Sequence, residues 1–366
     1  MPRLIAVCTL PPWPVRDGYS LRVANILQSL APAWTITLLA PGTPPPGVAT
    51  HWPLALSGPG LSYPWRFDNR PLVAAIDQCV QADRPDRALI WPGAEAAWLA
   101  AAGRVPAVLD MIDCNPLEFA RAARPARTWR ARAWNMREAA TAARHARRAV
   151  RGFGATVCVG GSDAAWMARL GGRPVHLVPN GVALPDASAP QDARPTVVFA
   201  GTLDYAPNID AVAFAAAVIW PRIRGAVPGA RWVIAGRRPV AAIRALDGRD
   251  GIEVRADVVN MTAELQAAWV AIAPMRTGAG LKNKVLEAWA CARPVVLTPL
   301  AMNGLALPPG HVGLVQEGAA GMADAVVGLL RDGTARARLG SAARDMVARD
   351  FTWSGAAGRL DALLRQ

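Results

Sequence analysis

The chain has 366 residues, of which 52% are hydrophobic and 18% are charged. A single hydrophobic core rarely grows beyond roughly 250 to 300 residues, and disordered chains carry fewer apolar residues, so these values predict two globular domains. No apolar stretch reaches the roughly 20 residues that span a bilayer, and the five cysteines lack metal-ligand spacing, which predicts a reducing cytoplasm and no zinc.

Short apolar or β-branched runs alternate with alanine-rich helical stretches in the first half of the chain. This alternation predicts βαβ units on a parallel sheet, and it assigns residues 1–182 to an N-terminal α/β domain. The runs lie at residues 4–9, 35–39, 88–91, 107–110, 156–159 and 175–178.

A turn-rich stretch then interrupts the pattern, and residues 183–195 are predicted to be a linker. The alternation restarts beyond it, which predicts a second doubly wound α/β domain over residues 196–352. We expect the final helix, residues 353–366, to pack back on the N-terminal domain. The apolar runs of the second domain lie at residues 196–200, 232–235, 252–255, 270–273 and 295–297.

Two aspartates, Asp110 and Asp113, stand at the end of the predicted strand 107–110. Open α/β sheets bind ligands outside the carboxyl ends of their strands. Asp113 is therefore a candidate general base. Carboxylates are common in loops after strands, so a purely structural role stays open. The four histidines form no recognisable constellation.

Ten arginines and one acidic residue, Glu138, lie from Arg121 to Arg151. Residues 1–182 hold 20 basic and 11 acidic residues, whereas residues 183–366 hold 20 and 16. The segment predicts a basic helix that contacts an anionic membrane, with Trp129 and Trp134 at the interface. A solvated helix face is the alternative. The net charge of +13 also fits a nucleic-acid-binding protein, but no such module is recognisable.

Residues 274–290 form the most specific stretch, in which an apolar strand leads into a glycine-containing turn and then a helix. The first N–H groups of a helix lack partners, and the helix dipole adds to their attraction for phosphate. The dipole alone contributes about 0.3 to 1 kcal/mol, so a diphosphate also needs cations. Arg276, Lys282 and Lys284 supply them, and the last two are the only lysines of the chain.

Lys284 and Glu287 are three residues apart, which places them on one face of the predicted helix. The lysine could meet phosphate there while the carboxylate accepts ribose hydroxyls; a solvated Lys and Glu pair is the structural alternative. A Walker loop is excluded because no Gly-Lys-Ser/Thr occurs. A dinucleotide fingerprint is disfavoured because Asn283 replaces its third glycine.

Five stretches, in this order and spacing, resemble family 4 of the retaining GT-B glycosyltransferases, the glycosyl transferases group 1. The resemblance covers the whole chain and is closest to a branch associated with bacterial exopolysaccharide synthesis. The stretches are Pro11-Pro-Trp-Pro with Gly18 and Arg22, Ser162-Asp163 before Pro179-Asn-Gly-Val, Phe199-Ala-Gly-Thr-Leu-Asp-Tyr-Ala-Pro-Asn, Gly278-Ala-Gly-Leu-Lys-Asn-Lys-Val-Leu-Glu-Ala-Trp-Ala with Arg293-Pro-Val-Val-Leu-Thr, and Phe351-Thr-Trp.

The resemblance implies two Rossmann-like domains that face each other across a cleft. The C-terminal domain would bind a nucleoside diphosphate sugar of the UDP or GDP type, and the N-terminal domain would bind a glycan, lipid-linked or small-molecule acceptor. It implies retention of anomeric configuration. We expect no cofactor and no metal, because the sequence shows no carboxylate or histidine cluster near the proposed phosphate site. The departing phosphate oxygen would help to guide the acceptor hydroxyl from the same face.

The resemblance also implies roles for individual residues. Asp113, Lys284 and Glu287 are the candidate catalytic residues. The glycine-containing first loop would face the donor phosphates. The candidate donor and phosphate contacts are Gly18, Arg22, Arg276, Gly278, Gly280, Leu281, Lys282, Asn283, Lys284 and Glu287.

Two positions depart from the family pattern. Ala279 stands where the family commonly has the first of two glutamates, which touches the donor sugar. Thr202 stands where many members have an arginine for the diphosphate, and Lys282 or Lys284 could replace it. These departures leave the sugar undetermined. They also favour a rival hypothesis, a catalytically degenerate protein that binds a nucleotide sugar or supports a partner enzyme.

Overall fold

The computed structural model describes residues 1–55, 69–123, 128–186, 191–278 and 280–366. The chain divides into two compact units. Unit 1 comprises Met1–Gly181 together with Trp353–Gln366, and unit 2 comprises Val182–Thr352. Each unit has its own parallel sheet flanked by helices, which confirms the predicted α/β class. Four residues of the predicted linker, 187–190, lie outside the described residues.

Unit 1 contains a seven-stranded sheet in the order β3-β2-β1-β4-β5-β6-β7. The central strand β1 is buried from Leu4 onward, as a continuous apolar run in a parallel sheet requires. The strands are β1 (Arg3–Val7), β2 (Thr35–Ala40), β3 (Thr50–Pro53), β4 (Arg87–Ile90), β5 (Ala107–Asp110), β6 (Ala155–Cys158) and β7 (His176–Leu177).

The helices of unit 1 follow its strands and bury apolar faces against them. Leu72, Ile76 and Trp98 pack on Ile5 and Ile90 in one core cluster. The helices are α1 (Gly18–Leu30), α2 (Arg70–Asp83), α3 (Glu95–Ala100), α4 (Asn115–Ala123), α5 (Trp129–Gly152) and α6 (Gly161–Gly171).

Unit 2 contains a five-stranded sheet in the order β10-β9-β8-β11-β12. Its strands are β8 (Thr196–Ala200), β9 (Arg231–Gly236), β10 (Ile252–Ala256), β11 (Val270–Ala273) and β12 (Val295–Leu297). Its helices are α7 (Ala206–Phe214), α8 (Trp220–Ala226), α9 (Ala241–Arg244), α10 (Met261–Ala267), α11 (Asn283–Ala290), α12 (Ala319–Arg331) and α13 (Gly333–Asp350).

The last helix, α14 (Trp353–Leu364), belongs to unit 1 although the chain reaches it from unit 2. Its Asp361 carboxylate accepts a 2.6 Å hydrogen bond from the Trp34 indole N–H. The Leu364 carbonyl accepts a 2.7 Å bond from Nε of Arg87. These bonds attach α14 to the turn between α1 and β2 and to β4.

The helical stretch over residues 206–226 is not one regular α-helix. Between α7 and α8 the residues Ala215–Ile219 adopt a π-helical turn, in which the Trp220 N–H donates to the Ala215 carbonyl. Pro221 follows at once. Its ring would collide with the carbonyl four residues earlier in a regular α-helix, so the wider turn relieves that clash.

Candidate functional site

The candidate donor site of unit 2 lies where its strand order reverses. Strands β8 and β11 are neighbours, with Val197 paired to Val270, although two strands separate them along the chain. The loops that follow these strands therefore leave the sheet side by side and in opposite directions. Open α/β sheets bind ligands at this switch point.

The Lys284 side chain, from the first turn of α11, extends to the loop after β8. Its Nζ donates a 2.6 Å hydrogen bond to Oδ1 of Asn208 and lies 4.0 Å from the centre of the Phe199 ring. The Asn208 side-chain amide in turn donates a 2.8 Å bond to the Thr202 carbonyl. The ammonium is thus brought to the loop in which Thr202 replaces the arginine common in the resembling family.

These surroundings change the protonation of Lys284. Its pKa is lowered to about 7, mainly by burial and also by the neighbouring charge of Lys282, while Glu287 acts in the opposite direction. An amine with this pKa is only partly charged at neutral pH. An approaching diphosphate would favour its charged form.

Glu287 lies one turn further along α11 and is partly buried. Burial raises the pKa of its carboxyl, while the nearby Lys284 acts in the opposite direction. The carboxylate makes no hydrogen bond or ion pair with any described residue. Lys284 instead turns to Asn208, so the two residues do not form the solvated pair that was the structural alternative.

The turn before α11 brings backbone and a second cation to the helix N-terminus. Gly278 and Gly280 have φ of 101° and 70°, values that a side chain disfavours. The Lys282 ammonium donates a 3.2 Å hydrogen bond to the Gly280 carbonyl, and the side chain is 8% exposed. Leu281 is buried, and the partly exposed Asn283 begins α11. Ala279 lies outside the described residues.

Arg276 follows β11 and forms a two-pronged contact with Asp210 of α7. Its Nε donates to the carboxylate at 3.0 Å, and Nη2 bonds the other oxygen. The guanidinium also stacks 4.4 Å from the centre of the Phe214 ring. Arg276 is therefore held beside the switch point, yet its charge is already paired, so a phosphate would compete with Asp210 for it.

In unit 1 the predicted donor contact Arg22 is fully buried. Its Nε donates a 2.7 Å bond to the Asp110 carboxylate, and Nη1 donates a 2.8 Å bond to the Asn180 side-chain carbonyl. Its Nη2 is buried without a hydrogen-bond partner among the described residues, so a ligand could reach the guanidinium only if the residues around it moved. Contact with the donor stays a prediction, and the structure adds a role inside unit 1, where Arg22 joins α1 to the end of β5.

The same network supports the loop that carries Asp113. The second Asp110 oxygen accepts a 3.1 Å bond from the Ile112 N–H. Ile112 has φ of 58°, which is strained for a β-branched residue. Asp113 follows directly and is partly exposed. A strained loop held by a buried ion pair fits a functional position.

Gly18 is the exposed first residue of α1. Asp17 precedes it as the N-cap and accepts a 2.8 Å bond from the Ser20 N–H. This bond satisfies one of the free N–H groups at the helix start. Gly18 can still present its backbone to a ligand, because no side chain covers it.

The predicted basic segment is divided in the structure. Residues 124–127 lie outside the described residues, and α5 begins after Thr128, whose hydroxyl accepts a 3.2 Å bond from the Ala131 N–H. Glu138 is buried. Within the described ranges, no helix is long and apolar enough to span a membrane. Those ranges also contain no group of three or more His, Cys, Asp or Glu residues placed to hold a metal ion.

A family comparison matches the part of the chain that contains the candidate donor site. Residues 194–332 match the model of the family described as Glycosyl transferases group 1. This range includes the loops after β8 and β11 and the whole of α11. The match confirms the resemblance to the group 1 glycosyl transferases for this part of the chain. No curated protein matches the chain in sequence.

Solved structures of glycosyltransferases share the fold of the whole chain. Anabaena Alr3699/HepE in complex with UDP aligns over 100% of both chains, with a TM-score of 0.69 and 13% identity. WaaG, a glycosyltransferase involved in lipopolysaccharide biosynthesis, aligns over 98% of this chain and 99% of its own, with a TM-score of 0.66 and 12% identity. At these identities the likeness shows the fold, which is GT-B.

TarM is a longer relative by structure. It aligns with 82% of this chain at a TM-score of 0.64 and 11% identity, but the alignment covers 59% of TarM. The chain therefore spans less than two thirds of the length of TarM.

Three residues of the candidate donor site were not among the candidates from the sequence. Phe199 and Asn208 contact the Lys284 ammonium, and Asp210 holds Arg276. The first two begin and end the stretch from Phe199 to Asn208 that carried part of the family resemblance. The signal was present, but spacing alone could not show that this stretch meets α11.

Proposed function

We propose that the chain is a retaining glycosyltransferase. It transfers a sugar from a nucleoside diphosphate to a hydroxyl of a glycan, lipid-linked or small-molecule acceptor. The observation that carries the proposal is the Lys284 ammonium, held by Asn208 at the switch point inside the range that matches the group 1 family. HepE binds UDP and UDP-glucose, which favours a UDP donor over a GDP donor.

Residues of α11 and of the turn before it bind different parts of the donor. Glu287 accepts hydrogen bonds from the ribose hydroxyls. Lys284, Lys282 and the amides of Gly280 and Leu281 offset the charge that develops on the departing diphosphate. Gly278 and Asn283 shape the turn that admits the phosphates, and Arg276 adds a cation if it exchanges Asp210 for phosphate.

Unit 1 supplies the acceptor side of the proposed reaction. Asp113 accepts a proton from the acceptor hydroxyl, and the Arg22 and Asp110 pair holds the loop on which it stands. Gly18 presents its backbone to the donor phosphates. The amines and backbone amides supply the positive charge that the diphosphate needs, so the proposed transfer is independent of metal.

The proposal also places the protein in the cytoplasm, peripherally attached to the inner face of the membrane. Three large apolar side chains in the first turns of α5 are exposed to solvent. The exposed fraction is 76% for Trp129, 42% for Trp134 and 52% for Met136. Arg130 and Arg132 are exposed between them. Indole rings beside arginines suit an anionic lipid interface. The role of WaaG in lipopolysaccharide biosynthesis favours an acceptor used for bacterial cell-surface polysaccharide or glycoconjugate.

The alternative is a degenerate group 1 protein that binds a nucleotide sugar without transferring it. Thr202 favours this alternative because it removes the arginine that many family members place near the diphosphate. The two functions differ in turnover. Donor binding without sugar transfer or donor hydrolysis would support the alternative.

A thermal-shift panel of UDP, GDP, ADP and their common sugars tests the proposal, since a ligand that binds the folded state raises stability by RT ln(1 + [L]/Kd). We expect a UDP compound to raise the melting temperature. At a concentration 100 times Kd the gain is about 2.7 kcal/mol. No shift with any nucleotide would contradict the proposed donor site.

A further inference from the structure

The Asn208 side-chain amide lies between the Lys284 ammonium of α11 and the backbone of the loop after β8. Its Oδ1 accepts the Lys284 ammonium at 2.6 Å, and its Nδ2 donates to the Thr202 carbonyl at 2.8 Å. The two partners fix the orientation of the amide, because the ammonium can only donate and the carbonyl can only accept. Asn208 is 5% exposed and is itself part of α7.

The groups that face the Lys284 amine are mostly uncharged. The Phe199 ring faces it from β8, Asn208 from α7, and the Met275 sulfur from the loop after β11 at 4.0 Å. The titratable groups that act on it are Lys282, at the N-cap of α11, and Glu287, on α11 itself. Asp210, also on α7, is paired with Arg276.

We propose that Asn208 is a positioning residue that sets both the place and the charge of the Lys284 amine, so that diphosphate binding is accompanied by proton uptake. The inference rests on the proposed function and names a residue that acts through Lys284 rather than on the donor. In the free protein the amine is held by a neutral dipole, which supports the positive charge less than an anion does. When the diphosphate binds, its negative charge favours the charged form of the amine, and Lys284 takes up a proton from solvent.

The direction of the pH effect follows from the pKa of Lys284. Because burial lowers that pKa to about 7, the free protein loses the proton as the pH rises above 7, while the complex keeps it. Affinity for the diphosphate should therefore fall by up to about tenfold for each pH unit above 7. Below pH 7 the amine is already charged, and the dependence should level off.

The two lysines of the chain make the charge of Lys284 directly measurable. Protein with ¹³C-labelled lysine gives only two side-chain signals, and a Lys282→Arg variant assigns them. We expect the Lys284 signal of the unaltered protein to titrate near pH 7. Asn208→Asp should raise its midpoint by at least one pH unit, because a carboxylate replaces the neutral oxygen. Asn208→Ala should lower it, because the acceptor is lost.

An Asn260→Asp variant is the matched control. It adds the same charge in unit 2 at the N-cap of α10, where an aspartate still accepts the Ala263 N–H. It should leave the Lys284 midpoint unchanged. A merely structural role of Asn208 would lower the melting temperature of its variants without moving the midpoint in opposite directions. The Ala variant places no charge against the Thr202 carbonyl and tests the inference if the Asp variant fails to fold.

Calorimetry of UDP binding at pH 8 in two buffers of different ionisation enthalpy measures the proton uptake. We expect uptake of most of one proton in the unaltered protein and of about half a proton or less in Asn208→Asp. Lys284 midpoints that are the same in the unaltered, Asp and Ala proteins would overturn the inference. Absence of UDP binding would instead remove the proposed donor site, and the lysine titration would still decide the role of Asn208.

Discussion

At the residue scale, Lys284 should act mainly on the transition state, because charge accumulates on the diphosphate as the sugar departs. Lys284→Ala should lower kcat about 10²-fold to 10³-fold, the usual effect of removing one such contact, and should weaken donor binding less. Steady-state rates and calorimetric donor affinity measure the two effects. Arg222→Ala, which removes an exposed cation of unit 2, is the control. Equal losses in affinity and in kcat/KM would contradict this role.

Part of the candidate site could be predicted from the sequence. The helix after Gly280 and the shared face of Lys284 and Glu287 follow from local spacing. The partner of Lys284 could not be predicted, because Asn208 is 76 residues away in the sequence. The burial of Arg22 could not be predicted either, because its partner Asp110 is 88 residues away in the sequence. Such contacts depend on sheet order, which local patterns do not encode.

At the element scale, the loop after β8 must lie tightly on the end of β9. A Cβ atom added to Gly236 would come within 1.7 Å of the Gly201 carbonyl oxygen. Gly236→Ala should therefore displace the loop that carries Thr202 and lower stability by about 1 to 3 kcal/mol, as overpacking does. Denaturant unfolding measures the loss. Gly229→Ala, where no atom lies within 4 Å, should cost much less, and equal costs would contradict the account.

The exposed start of α5 gives a second prediction at this scale. The chain should sediment with anionic liposomes at low salt and less at high salt, because basic residues near such a surface each contribute about 1 kcal/mol. Replacing Trp129 and Trp134 with Ser should weaken the binding further. Replacing the exposed Val218 of unit 2 should not. Failure to sediment at low salt would remove the membrane proposal.

The sequence predicted most strands because buried parallel strands are continuous apolar runs. The edge strand β3 was missed, since Thr-His-Trp-Pro is neither apolar nor alternating and its residues are at least partly exposed. The π-helical turn Ala215–Ile219 was also missed. An alanine-rich run has the same hydrophobic pattern in an α-helix and in a π-helical turn. Only Pro221, just after the turn, indicates that the helix is irregular there.

At the scale of the whole molecule, the two α/β units and their parallel sheets were predicted from one alternating pattern that restarts after residue 195. The resemblance to the group 1 glycosyl transferases is confirmed over residues 194–332, and the GT-B fold extends to the rest of the chain. The return of α14 to unit 1 was also expected and is confirmed, although its particular contacts with Trp34 and Arg87 could not follow from periodicity, because the residues are far apart in the sequence.

The proposed reaction predicts a product with retained anomeric configuration and turnover that survives EDTA. In the proposed reaction, the cations of α11 and its preceding turn would take the part of a divalent metal at the diphosphate. NMR of the product in the presence of EDTA reports both properties at once. An inverted product that forms only with added Mg²⁺ or Mn²⁺ would contradict the mechanism.

The most direct test of the donor site is the calorimetric affinity of Glu287→Gln for UDP, which isolates binding from chemistry. Glu287 should hold the ribose in the ground state, so the variant should bind UDP more weakly by about 1.5 to 3 kcal/mol, the value of a hydrogen bond to a charged group. Its melting temperature should be unchanged, as should the UDP affinity of the exposed control Glu317→Gln. Unchanged UDP affinity in a folded Glu287→Gln protein would show that α11 does not hold the nucleotide.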